Sequence, residues 1–181
     1  TLMLAGLSVA REREQGTFDQ LLVTPLSSIE ILIGKAVPPM IIGMLQVTFI
    51  IVICVFWFKI PMSGSIFTLY FTVFIFMTSC IGIGLSISAV SNSMQQVMVY
   101  TFVLIMPMVL LSGLATPIHN IPRILQIATY ANPLRFGVEA IRRIYLEGSS
   151  LAQIAHNFIP MAVVATVTLP LAVWLFRNKL V

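Results

Sequence analysis

The sequence predicts an all-α integral membrane protein, a polytopic helical bundle, on three observations. Hydrophobic residues make up 59% of the 181-residue chain and charged residues 9%, against about 25% charged in an ordinary soluble domain. Mean hydropathy is +1.02, so the polar residues are too few to cover a globule and most of the surface must face lipid. Four apolar windows, Ala36–Phe58, Ile66–Val90, Val97–Pro117 and Phe158–Phe176, contain no Asp, Glu, Lys or Arg. Each is long enough to cross a bilayer that takes about 20 helical residues. None shows the alternation over segments of about ten residues that a membrane β-barrel requires.

The chain opens with TLMLAGLSVA, an apolar run too short to cross by itself. It has neither the basic start nor the cleavage site of a signal peptide. Residues 1–10 therefore read as the end of a truncated transmembrane helix, and the chain as the C-terminal part of a longer protein. The polar passage EREQGTFDQLLVTPLSSIE, Glu12 to Glu30, follows, with four acids and Arg13 as its internal base. Gly16 can end the first helix, and Thr17 to Gln20 fits a capping box. Phe18, Leu21, Leu22 and Pro25 then form one apolar stripe on a short helix. Ser27 to Glu30 is a second capping box, opening the helix that enters the membrane through Gly34 and Lys35. Pro38 and Pro39 would kink or restart that helix near the interface. The short helix lies in the head-group layer or docks on a protein. Its acids, Glu12, Glu14 and Asp19, are disfavoured beside an anionic leaflet, which favours a protein partner.

Within the spans, Cys80, Gly84 and Ser88 recur every fourth residue with Gly82 and Ser86 alongside, a pattern that lets helices approach closely. Cys54 and Cys80 read as small buried hydrophobes. Pro107 falls in the middle of its window among Met94, Met98, Met106 and Met108, where a bend and flexible side chains can line an adaptable path. Gln46 is the most polar side chain deep in its span, suited to a helix–helix hydrogen bond. Gln46, Met106, Pro107 and Met108 are the candidate path residues.

The connections Lys59–Ser65 and Ser91–Gln96 are short turns. The long connection, residues 118–157, holds a short segment Ile121–Tyr130 and a helix from Pro133 to Glu147. Asn132 is the cap of that helix and Gly148 its stop. Leu134, Val138, Ile141 and Tyr145 make its apolar stripe, and Arg135, Glu139, Arg143 and Glu147 a charged row. Neither helix is long enough to span, so a re-entrant or interfacial pair, or an amphipathic cap over the bundle, is expected. Lys and Arg divide five against five between the two sides, leaving orientation undecided by the positive-inside rule.

The composition also excludes functions. The net charge of +4 suits anionic lipid, and no basic cluster is dense enough for nucleic acid. No acid or base other than cysteine lies in the four windows, which argues against proton relays and intramembrane hydrolysis. His119 and His156 flank spans without a second ligand at metal spacing. The IGK of Ile33–Lys35 lacks the earlier glycine and the hydroxyl residue of a phosphate-binding loop. No catalytic, metal or cofactor site is therefore expected in the chain.

The stretch EREQGTFDQLLVTPLSSIEILIGK, Glu12 through Lys35, resembles the cytoplasmic segment of the type-2 ABC transporter permease family, which typically reads E-R-E-x-G-T-x-E/D-x-L-x-x-T-P-L/V-x-x-x-E-x-L/I-x-G-K. LSGLATPIHNIPRILQIATYANPLRFGVEAIRRI is similar to the segment after the family's fifth span. Asp19 stands where many relatives have Glu. The resemblance implies six spans per permease, of which this chain holds the end of the second through the sixth. It implies a cytoplasmic coupling segment at 11–35, an outer helical pair and a cytoplasmic tail at 177–181. It further implies a coupling helix around Thr17–Thr24 that docks on a separate ATP-binding cassette subunit, with ATP and Mg bound by that subunit. Glu12, Arg13, Glu14, Gly16, Thr17, Phe18, Leu21, Leu22 and Pro25 are then the expected ATPase-coupling residues. A second permease, a bacterial inner-membrane location, a periplasmic adaptor for some relatives, and export of a drug-like or lipid-like amphiphile complete the expectation. The alternative is a secondary transporter or passive channel whose ion site lies in an absent N-terminal part.

Overall fold

The computed structural model describes residues 1–16, 28–114 and 122–178. Among these residues seven α-helices follow in order: α1 Leu2–Glu14, α2 Ser28–Phe56, α3 Ile66–Val90, α4 Met94–Leu110, α5 Arg123–Ala128, α6 Pro133–Glu147 and α7 Leu151–Asn178, with a 3-10 turn at Thr129–Ala131 between α5 and α6. Among the described residues, α2, α3 and α7 are long and apolar enough to cross a membrane.

The helices do not coincide with the charge-free windows. Helix α2, expected to open at the Ser27–Glu30 capping box and run into the window Ala36–Phe58, begins at Ser28 and ends at Phe56, and α7 starts seven residues before Phe158. At both starts the helix extends beyond the charge-free window, where the chain is polar but still regular. Pro38 and Pro39 lie inside α2 without restarting it, because the hydrogen bonds on either side keep a membrane helix in place. The helix expected over Val97–Pro117 runs instead from Met94 to Leu110, about 25 Å at 1.5 Å per residue. It stops because Gly113 adopts φ 86 and the Ser112 hydroxyl turns back to the Val109 carbonyl at 2.7 Å. Pro107 therefore belongs to the last turn of α4, not the middle of a span.

Helix α3 is the hub. Its small residues divide between two partners. A Cβ on Gly84 would lie 2.3 Å from the Leu2 carbonyl of α1, and one on Gly82 would lie 2.3 Å from the Thr168 hydroxyl of α7. Ser79 donates to the Met161 carbonyl at 2.6 Å and Ser86 to the Thr168 carbonyl at 2.9 Å. Both bonds span 82 positions, so α3 and α7 run parallel in constant register. Ala5, Val9, Leu32, Ile81, Leu85 and Phe176 close one apolar core where α1, α2, α3 and α7 meet. Cys80 is buried, whereas Cys54 is only half-buried.

Helix α6 has the ends its sequence predicts. The Asn132 side chain accepts from the Leu134 N–H at 3.0 Å, and Gly148 sits at φ 68. Its buried face differs from the expected stripe. Pro133, Phe136, Gly137, Ala140 and Ile144 are buried, while Leu134, Val138, Ile141 and Tyr145 are half-buried. Gly137 lets this face approach α3 closely, since a Cβ there would meet the Phe76 ring at 2.6 Å, and Phe136 and Ile144 are buried on either side of it. Glu139 and Arg143 pair at 3.4 Å on the open side. The turn between α2 and α3 is pinned to this helix, with Ser63 N–H on the Tyr145 carbonyl at 3.1 Å and the Tyr145 hydroxyl on the Ile60 carbonyl at 3.2 Å.

Candidate functional site

The first acidic-basic triplet, Glu12–Arg13–Glu14, occupies the last turn of α1. Consecutive helical residues point about 100° apart, so three in a row fan across more than half the helix circumference and can reach three neighbours. They do so. Glu12 Oε1 accepts from Lys35 Nζ of α2 in an ion pair. Arg13 Nη1 donates to the Ser91 carbonyl at the end of α3 at 2.7 Å. Glu14 Oε1 accepts from the Met94 N–H that opens α4 at 2.7 Å.

Each contact answers a need at a helix end. The last carbonyls of a helix have no partner within it and carry partial negative charge, which Arg13 meets at α3. The first N–H groups of a helix are orphaned and partially positive, which Glu14 meets at α4. The Ser93 hydroxyl caps the same helix by accepting from the Gln96 N–H at 3.2 Å. Burial pulls the Arg13 pKa below the ordinary arginine value, yet arginine keeps its charge in a protein. The triplet is thus a clasp joining α1 to α2, α3 and α4 at one end of the bundle. Hydrogen bonds to charged groups contribute about 1.5–3 kcal/mol each.

Gly16, at φ 69, follows the clasp and ends α1 in the left-handed turn that glycine adopts without strain. Thr17, Phe18, Leu21, Leu22 and Pro25 lie outside the described residues. Lys35, Ser91 and Met94 belong to the clasp but were not among the expected site residues. Lys35 carried a signal, as the one base near the start of a span. The Ser91 carbonyl and Met94 N–H are backbone groups and carried none.

The four path residues do not come together. Pro107 and Met108 line a cavity of about 720 Å³ beside α7. Met106 is exposed on another side of α4, and Gln46 is exposed on α2. His156 is exposed in the second turn of α7, and His119 lies outside the described residues.

The profile of the ABC-2 type transporter family matches residues 1–146. The chain belongs to that family. This ABC-2 chain is 42% identical over 178 residues to a protein of Escherichia coli named probable multidrug ABC transporter permease YbhR, covering 98% of this chain and 48% of that one. The probable multidrug ABC transporter permease YbhS of the same organism is 32% identical over 148 residues, covering 81% and 39%. The inner membrane transport permease YhhJ, also of Escherichia coli, is 26% identical over 182 aligned residues, covering 99% and 48%. The ABC-2 chain thus spans about half the length of the curated relatives it matches. No solved structure matches it. Family and long apolar helices together make it a multi-pass membrane protein.

Proposed function

We propose that the chain is the membrane-spanning permease part of an ATP-driven exporter. It carries no ATPase site and is moved by a separate ATP-binding cassette subunit that holds ATP and Mg. The working assembly pairs it with a second permease in a bacterial inner membrane, with a periplasmic adaptor as a further partner. The cargo is a hydrophobic or amphipathic molecule, in keeping with relatives named as multidrug permeases.

The observation that carries this reading is the clasp. The ATP-binding subunit docks on the segment around Thr17–Thr24, between Gly16 and the start of α2. That segment is anchored on both sides by one ion pair, Glu12 to Lys35. Arg13 and Glu14 fasten the same turn of α1 to α3 and α4. A push on the segment therefore reaches four helices, α1 to α4, through contiguous contacts at one end of the bundle.

The test uses the full-length permease with its ATP-binding subunit in proteoliposomes. Replacing Leu21 and Leu22 together by Asp removes the apolar stripe of the docking helix. ATP-driven export should fall to background while insertion and bundle stability stay unchanged. Export at the unmodified rate by the double variant would refute the assignment.

A further inference from the structure

Helix α4 is held unevenly along its length. Of its side chains only Val97 and Thr101 are buried, both in the first half. Val97 sits where α1 comes close, since a Cβ on Gly6 would lie 2.9 Å from its Cγ1. From Phe102 to Leu110 no side chain is buried, so packing does little to fix that half. Pro107 softens it further, because proline has no N–H to give the Val103 carbonyl four residues earlier. Past Pro107 the helix closes with two bonds, Leu111 N–H to the Pro107 carbonyl at 2.9 Å and Ser112 N–H to the Val109 carbonyl at 3.3 Å. The Met108 carbonyl between them is passed over. Asn132 takes it up, its Nδ2 donating to that carbonyl at 2.7 Å.

The buried Asn132 amide therefore serves two helices at once. Its Oδ1 accepts from the Leu134 N–H at 3.0 Å and caps α6, while its Nδ2 ties down α4. The partners fix the orientation of the amide, since an N–H requires the oxygen and a carbonyl requires the nitrogen. The two bonds are separable: the tie to α4 can break with the cap of α6 intact. We propose that Asn132 is a latch. Closed, it holds the far half of α4 on the start of α6. Released, that half swings away about the packed region at Val97 and Thr101, and α6 stays folded. Phe102, Val103, Met106 and Leu110 are exposed already, so little buried apolar contact resists the swing. Met108 and Asn132 both stand in the wall of the cavity between α4 and α7, and release widens it at the latched end. The latch belongs to the chain itself and holds whether or not a separate subunit drives the assembly.

The test uses the full-length permease in nanodiscs, with native cysteines replaced by alanine and spin labels at Met106 of α4 and Leu146 of α6, both exposed. A second pair, Leu146 with the exposed Val163 of α7, reports on α6 alone. Asn132→Asp keeps an acceptor for the Leu134 N–H but offers the Met108 carbonyl a carboxylate in place of a donor. Electron–electron resonance should then show a longer Met106–Leu146 population, raised about tenfold over the unmodified protein, the effect of one lost hydrogen bond and one added repulsion. The Leu146–Val163 distance and the hydrogen-exchange protection of the Leu134 N–H should stay unchanged, whereas a general loss of structure would move all three. Should the Asp variant lose that protection, Asn132→Ser, which caps α6 without an amide, supplies the same comparison. An unchanged Met106–Leu146 distribution in the capped variant, or displacement of both label pairs together, overturns the proposal.

Discussion

Helices α2 and α3 are both long and apolar enough to cross a membrane, yet 56% of the α3 span is buried inside the bundle against 11% of the α2 span. The difference lies in residue size rather than polarity. Helix α3 presents Ser79, Gly82, Gly84 and Ser86 to its neighbours, so backbones approach closely on two sides. Helix α2 surrounds itself with large side chains such as Leu45, Phe49 and Phe56, which stay exposed. In lipid there is no hydrophobic gain from hiding a leucine, so helices associate where small residues permit contact. Hydropathy finds the span, and side-chain volume decides whether it becomes core.

The largest test of this contrast is Gly84→Leu. The first carbon of the new side chain would strike the Leu2 carbonyl, and backbone cannot yield as a flexible side chain can. A loss of about 3 kcal/mol, the upper range for overpacking, should appear in denaturant unfolding in detergent, with separation of α1 from α3. Retained stability would mean that the α1–α3 crossing is not a packed contact.

A smaller effect of opposite sign is expected at Asn157. This α7 residue is fully buried, and both its amide nitrogen and oxygen lack partners. Removing an unsatisfied buried amide relieves about 1–3 kcal/mol, so Asn157→Leu should raise the unfolding midpoint. A lowered midpoint would show that the amide is hydrogen-bonded in the working protein. The smallest effect belongs to α2. Gly34 has open space where a Cβ would go, so Gly34→Ala should stabilise by no more than about 1 kcal/mol through helix propensity alone. Any destabilisation there would place a partner against this face of α2.

Local chemistry was legible in the sequence. Asn132 and Gly148 marked the ends of α6 because a cap and a left-handed stop depend on residues next to them. The spacing of Cys80, Gly84 and Ser88 pointed to close packing for the same reason. Direction was not legible. Gln46 is exposed on α2, where sequence suggested a helix–helix hydrogen bond. The expected apolar stripe of α6 is only half-buried, whereas the buried face is Pro133, Phe136, Gly137, Ala140 and Ile144, with Gly137 against Phe76. In sequence the triplet at Glu12 offers charges to a partner; in the structure each of the three also contacts a neighbouring helix of its own chain. Its contacts on Ser91 and Met94 lie about eighty positions away and end on backbone groups, which leave no residue-specific trace.

The fan of Glu12, Arg13 and Glu14 has a consequence for how such a chain can change over time. Each side chain finds a different helix only because the three are adjacent on one turn. Inserting a single residue ahead of them within α1 would swing all three by about 100°, leaving every neighbour facing the wrong group at once. Side chains at this corner can be exchanged singly, but the count of residues leading up to it behaves as a reading frame.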